Sequence, residues 1–177
     1  MFKHSVMAAQ GWRPFRTELC VAWRRNGIGV AAGQIDALLV SCSGQYMLLD
    51  FKRVQASHRL DANDTAFGSR TGLGPMSHLP DTRYFRYSLQ LSIYNLMLID
   101  THGINVKREM YLLRVHSDRH KYEFVQCADL REEALTALSI EFECASKHED
   151  IRKLPLLEGG GITIAQRNQV RRMRELE

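Results

Sequence analysis

The sequence predicts an α/β domain built on a central mixed β-sheet, with a three-strand antiparallel meander and further strands, flanked by helices. The chain has 177 residues, of which 45% are hydrophobic and 25% charged, values typical of one globular domain. Its patterns follow the order strands, helix, strands, helix, which favours an α/β or α+β architecture. Asn-Gly and Ser-Gly pairs mark tight turns between the first strands.

The first three strands form the predicted meander. They cover Pro14–Trp23, Ile28–Ser41 and Tyr46–Val54, and the turns at Asn26 and Ser43 join them. The second half of the middle strand is nearly all apolar, which is typical of a strand covered on both faces.

The rest of the chain supplies a long loop, two helices and two more strands. A loop of the predicted length is usually functional or disordered. The helices begin after a Pro-Asp-Thr sequence and at a capping box on Asp129, respectively. In order, the predicted elements are the loop Gln55–Leu79, the helix Tyr84–Ile99, the strands Met110–His116 and Lys121–Cys127, and a helix from Asp129 to about Lys147.

We expect one domain over residues 1–157, followed at 158–177 by a glycine linker and a basic tail. No apolar run approaches the roughly 20 residues of a membrane helix, and no secretory signal is evident, so an intracellular protein of cytoplasm or nucleus without a membrane partner is expected. The oligomeric state stays open. The wide spacing of the cysteines predicts reduced thiols, mostly in the core, and no iron-sulfur cluster; they are Cys20, Cys42, Cys127 and Cys144.

The net charge of +4 is concentrated in a few segments. Residues 52–87 contain six basic and three acidic side chains together with several aromatics, a composition that suits nucleic acid. Residues 128–150 carry seven acidic and two basic side chains, which indicates a solvated helix face.

The turn at Ser43 decides how two aspartates are placed. A two-residue turn sets Asp36 opposite Phe51, whereas a three-residue turn centred on Ser43 sets it directly opposite Asp50. Because strand side chains alternate, Lys52 shares the face of Asp50. Carboxylates about 4 Å apart repel by roughly 4 kcal/mol at an effective dielectric of 20, so such a pair needs a proton, a salt bridge or a cation. Hard divalent cations prefer these oxygen ligands.

Two further features belong to the same candidate site. Glu18 is a possible third acid, although the Asn-Gly turn leaves it one residue off the required face unless Gly29 or Gly33 supplies a bulge. Gln90 and Tyr94 are four residues apart and share one face of the predicted helix. Each feature alone has an ordinary structural explanation, such as a surface ion pair, but their conjunction favours a shared site.

Four short motifs follow one another along the chain: Arg16-Thr17-Glu18, Gly33-Gln34-Ile35-Asp36, Asp50-Phe51-Lys52-Arg53 and Tyr87-Ser88-Leu89-Gln90-Leu91-Ser92-Ile93-Tyr94. In this order they resemble the PD-(D/E)XK nuclease superfamily in its RecB-like exonuclease branch, over about Trp12–Leu130. The segment 78–82 is similar to viral-type members. The resemblance implies a restriction-endonuclease-like core and a metal-dependent nuclease that hydrolyses phosphodiester bonds in DNA, as an exonuclease in repair, recombination or replication.

The resemblance also implies roles for individual residues. The magnesium or manganese ion is expected on Asp36, Asp50 and the Phe51 carbonyl, with Glu18 as an outer or third acid. Lys52 would position the nucleophilic water, and Gln90 and Tyr94 would orient the site or the DNA backbone. DNA, single-stranded or at duplex ends, is the expected partner, and RNA stays open. The candidate nucleic-acid-binding residues are Arg53, Arg59, Arg70, Arg83 and Tyr87.

A second interpretation is that the chain has the same fold but no catalytic activity. Related nucleases usually carry a further helix upstream of the Arg-Thr-Glu strand, whereas eleven residues precede Trp12 here. We therefore expect a fragment, a shortened variant or a domain with an incomplete metal site. The alternative is therefore a catalytically degenerate nucleic-acid-binding or assembly module, which metal binding would separate from an active nuclease.

Overall fold

The computed structural model describes residues 11–54, 60–62, 70–116 and 122–152. The predicted tail at 158–177, the boundary at 157 and Arg59 lie outside the described residues. The described elements are β1 (Arg13–Arg25), β2 (Ile28–Val40), β3 (Tyr46–Val54), a 3₁₀ turn (Gly74–Met76), α1 (Arg83–His102), β4 (Met110–His116), β5 (Tyr122–Gln126) and α2 (Arg131–Arg152).

The strands form one five-stranded sheet in the order β1-β2-β3-β4-β5. β3 and β4 pair in parallel, and the other neighbours are antiparallel. A parallel pair needs a crossover connection, and α1 lies in the segment between β3 and β4. The predicted mixed sheet with flanking helices is confirmed.

Local sequence explains where α1 begins and ends. The Thr82 side chain accepts a hydrogen bond from the Phe85 amide, and Gly103 ends the helix in the left-handed conformation at φ 65°. α2 begins at Arg131, two residues later than the capping box predicted. In the described part of the chain, neither helix combines the length and apolar character needed to cross a membrane.

The sheet has two distinct faces. The inner face, under α1, contributes Leu38, Leu48 and Leu112 to the main core. The outer face buries Leu39 and Met47 in a separate cluster with partly buried aromatic rings. α2 packs against α1 and β2.

Two buried serines of α1 fix the connection between β5 and α2. Ser88 Oγ accepts the Ala128 amide at 3.1 Å, and Ser92 Oγ accepts the Leu130 amide at 3.1 Å. Because buried amides without partners are costly, these bonds define how α1 lies on the sheet. The position of α1 determines which of its side chains reach β2 and β3.

Candidate active site

The register between β2 and β3 places the two aspartates opposite each other. Ala37 lies opposite Leu49 and Val40 opposite Tyr46, so the hairpin is centred on Ser43. The three-residue alternative is therefore the one that occurs. Ala37 and Leu49 form the last pair of this ladder. The next position, where the strands separate, brings Asp36 across from Asp50.

The carboxylate of Asp36 spans this separation. Its Oδ2 accepts a hydrogen bond from the Phe51 amide at 2.7 Å, in place of a backbone ladder bond. Asp36 is half-buried and close enough for its negative charge to raise the pKa of Asp50.

Asp50 and Lys52 form an ion pair on the inner face. Asp50 is 5% exposed, and its Oδ2 lies 2.5 Å from Lys52 Nζ. Burial is the main cause that raises the pKa of Asp50, and Lys52 opposes this rise. Oδ2 is shielded from solvent and, although it lies in the ion pair, has no partner with hydrogen-bond geometry among the described residues. A buried carboxylate favours a nearby cation, and Lys52 supplies one here.

Of the three α1 side chains predicted for the site, Tyr87 contacts a site residue, whereas Gln90 and Tyr94 bond to each other. The ring of Tyr87 covers the Lys52 ammonium, with Nζ 4.3 Å from the ring centroid. Gln90 Nε2 donates to the Tyr94 hydroxyl at 3.0 Å. The Tyr94 ring packs directly on Gly33, where a Cβ atom would lie 2.8 Å from the tyrosine hydroxyl. Gly33 is therefore required for close contact between helix and sheet, a role that its sequence did not reveal.

Of the two glycines predicted to supply a bulge, Gly29 lies beside one. Trp23 lies opposite Ala31 but Arg24 lies opposite Gly29, so one extra residue of β2 lies next to Gly29. Gly33 pairs regularly and does not form the bulge. The shifted register places Glu18 across from Asp36.

Among the described residues, Glu18 nevertheless does not form a metal-holding group with the two aspartates. It is exposed and adopts a φ of 51°, an uncommon left-handed conformation for a residue with a side chain. Over the described ranges, no group of three or more Asp, Glu, His or Cys side chains could hold a metal ion. The structure thus brings together Asp36, Asp50 and Lys52, and it leaves the Glu18 carboxylate outside this group.

The basic candidates do not share one face. Arg53 is exposed on β3 and alternates with Lys52, so it lies on the outer face. Arg70 is exposed on the turn that leads to α1, where its carbonyl accepts the Asp81 amide at 2.9 Å. Arg83 lies in the first turn of α1, and Tyr87 lies within the site over Lys52.

Cys127 is a buried neighbour of the site that the sequence did not connect with it. Burial raises its pKa to about 12, and Ser88, Asp50 and Lys52 are close enough to influence the thiol. All four cysteines are free, as predicted, but Cys20, Cys42 and Cys144 are exposed. The expectation that most of them lie in the core is wrong, because strand and helix periodicity does not show which surfaces other elements cover.

No protein-family model and no curated protein matches the chain. Similar solved structures include a protein from Eubacterium rectale named "Putative exonuclease", with 14% identity and a TM-score of 0.46 over 84% of this chain and 55% of that one. SSO0001 shows 12% identity and a TM-score of 0.40 over 81% of this chain. The chain spans 55% of each of these longer proteins. Because both scores are low, the chemistry of the site is what bears on function.

Proposed function

We propose that this chain is a metal-dependent nuclease that hydrolyses phosphodiester bonds in DNA, of exonuclease type and similar to the RecB-like branch of the PD-(D/E)XK superfamily. One observation carries the proposal: a buried carboxylate, a second carboxylate and a lysine meet where β2 and β3 separate. Asp50 Oδ2 lies 2.5 Å from Lys52 Nζ, and Asp36 bonds the amide between these two residues. Placing a half-buried acid beside a buried one is costly for stability alone, which favours a functional origin.

The donor set fits a hard divalent cation. Magnesium is commonly held by one or two carboxylates while it keeps several waters, so Asp36, Asp50 and the Phe51 carbonyl suffice without a third acid. The buried Asp50 carboxylate and the half-buried Asp36 carboxylate supply the anionic oxygens that such an ion prefers. When bound, Mg²⁺ or Mn²⁺ would lower the pKa of a water and neutralise charge at the scissile phosphate.

The side chains around the two aspartates would have separate roles in catalysis and in DNA binding. Lys52 carries three N–H donors on one ammonium, so it can hold the attacking water or a phosphate oxygen while it remains paired with Asp50. Gln90 and Tyr94, bonded to each other, orient the substrate side of the site. Outside the inner face, Arg53, Arg70 and Arg83 would contact the DNA backbone, and such contacts weaken as salt rises. Arg59 is proposed for the same role from sequence alone.

Cleavage of labelled substrates tests the proposal. Single-stranded, blunt duplex and circular DNA, and RNA of the same sequence, are incubated with Mg²⁺, Mn²⁺ or EDTA. We expect metal-dependent loss of linear DNA with circles spared, and at least a hundredfold loss in both Asp36→Asn and Asp50→Asn. The proposal is wrong if the folded wild-type protein cuts none of these substrates, or if both variants cut as well as wild type.

A degenerate module on the same fold is a second candidate. It is favoured by the exposed, left-handed Glu18, which lies outside the group formed by the two aspartates. Calorimetry with Mn²⁺ separates the candidates: a nuclease binds the ion and loses affinity in Asp50→Asn, whereas a degenerate module binds DNA but shows no metal heat.

A further inference from the structure

The ammonium of Lys52 is held from two sides. Asp50 supplies a carboxylate oxygen at 2.5 Å, and Tyr87 supplies a ring face with its centroid at 4.3 Å. The Lys52 side chain is 20% exposed, so part of it still reaches the site opening. A lysine has a flexible four-carbon stem and a compact charge, so one ion pair alone leaves it several positions. The ring face removes part of this freedom.

Tyr87 is itself fixed by the fold. Its ring is half-buried and packs against the inner-face core. The next residue along α1, Ser88, is fully buried and bonded to the Ala128 amide. The helix therefore cannot move this ring away from Lys52 without breaking a buried hydrogen bond.

We propose that Tyr87 is a positioning residue for Lys52, acting through a cation–π contact, and not a platform on which bases stack. The inference rests on the proposed nuclease function. The ring face turned toward the site is covered by the ammonium, so a base could stack there only by displacing Lys52. A cation is attracted to the electron-rich ring face, and this attraction strengthens when water is partly excluded.

Two substitutions of Tyr87 distinguish the cation–π contact of its ring from its apolar packing. Tyr87→Leu keeps an apolar side chain but removes the ring face, and we expect kcat to fall about tenfold with KM and DNA affinity within about twofold. The conservative Tyr87→Phe keeps the face and should recover most of kcat. Phe85→Leu, an aromatic loss two residues earlier on α1, is the matched control. A fall in DNA affinity with kcat unchanged would instead assign Tyr87 to base stacking and overturn the inference.

A double-mutant cycle tests whether the effect passes through Lys52. In the Lys52→Ala background, Tyr87→Leu should cause no further loss of kcat, because the group that the ring positions is gone. Additive losses would show that Tyr87 acts by another route. If Tyr87→Leu unfolds in urea titrations at concentrations where wild type is folded, Tyr87→Met repeats the cycle with a flexible apolar side chain.

A measurement without metal or DNA keeps this inference distinct from the proposed function. Lys52 is acylated with an N-hydroxysuccinimide ester, and the rate is followed by mass spectrometry. We expect Tyr87→Leu to react several-fold faster than wild type and Tyr87→Phe to react like wild type, because the ring covers the amine. Equal rates in all three proteins would overturn the contact even in an active nuclease. A rate difference in a protein that cuts nothing would overturn the nuclease proposal alone.

Discussion

The two faces of β3 differ most in its carboxyl-terminal half. On the inner face, Asp50 and Lys52 lie under α1, and Asp50 is 5% exposed. On the outer face, Phe51 and Arg53 occupy the alternate positions, and Phe51 is 49% exposed. Soluble domains ordinarily bury apolar side chains and expose charged ones. Here the Asp50 carboxylate is buried and the Phe51 ring is exposed to solvent.

This inversion lies at the place where the proposed chemistry would occur. Earlier in β3 both faces are aliphatic, with Leu48 inside and Leu49 outside, and both are buried. The exchange begins where the ladder with β2 ends, so the end of that ladder, the buried charge and the exposed ring coincide. Functional sites are the places where a protein is expected to break the usual pattern of buried apolar and exposed charged side chains.

The largest effect should come from adjacent lysine and arginine residues on opposite faces. Lys52→Ala should lower kcat by about 10²–10³-fold with Mn²⁺ affinity nearly intact, because the lysine acts on the water and not on the ion. Arg53→Ala should instead weaken DNA binding a few-fold and reduce its salt dependence by about one counterion, with kcat at saturating DNA retained. Steady-state kinetics with calorimetry measures both. Similar kinetic defects in the two variants would mean that the face of β3 on which a basic residue lies does not determine whether it acts in catalysis or in DNA binding.

The next largest effect concerns the cysteine behind the site. With a pKa of about 12, the Cys127 thiol is almost entirely protonated at pH 8. Because only the thiolate reacts, alkylation by iodoacetamide should be at least about 100-fold slower at Cys127 than at an exposed cysteine such as Cys42. Mass spectrometry resolves the sites, and denaturant should abolish the difference. Rapid labelling of Cys127 in the folded protein would place it outside the inner-face core.

A smaller effect should follow from the contact between Gly33 and Tyr94. A Cβ atom at Gly33 would clash with the tyrosine ring, so Gly33→Ala should cost about 1–3 kcal/mol of unfolding free energy and move the ring. Gly29→Ala is the matched control, since a Cβ atom there meets nothing within 4 Å. Urea titrations of both variants give the comparison. Equal stabilities would show that the helix and strand are not in close contact at this point.

Much of the fold follows from local signals in the sequence. The limits of β3 and β4 coincide with the predicted ones, because turn residues and apolar runs mark strand ends directly. The hairpin register was left between two alternatives, since Ser43 and Gly44 permit turns of either length. Only the observed pairing shows that Asp36 faces Asp50.

The part of the site that the sequence does not predict consists of contacts between segments that are far apart in the chain. The sequence placed Tyr87 among the nucleic-acid-binding residues and Gly33 near a bulge. Their actual partners, Lys52 and Tyr94, depend on how α1 crosses the sheet, which buried serine hydroxyls determine. The periodicity of the sequence does not encode how α1 crosses the sheet. The residues of the inner face can therefore be predicted from the sequence, but the contacts between them cannot.

The smallest effect should come from an ion pair that lies in water. His78 Nε2 lies 3.0 Å from Glu133 Oε1, and the two side chains are 56% and 20% exposed, unlike the covered pair of Asp50 and Lys52. His78 lowers the pKa of Glu133 below 4.5, so the pair's contribution is present above pH 4.5 and is lost as the pH falls through the folded-state pKa. Glu133→Gln should therefore lower unfolding free energy by less than about 0.5 kcal/mol at pH 6, and the difference should shrink as the pH falls below 4.5. Glu132→Gln is the control, since it shares the first turn of α2 and its favourable dipole. A loss above about 1 kcal/mol, or one that persists in acid, would show that this exposed pair is not screened as surface pairs normally are.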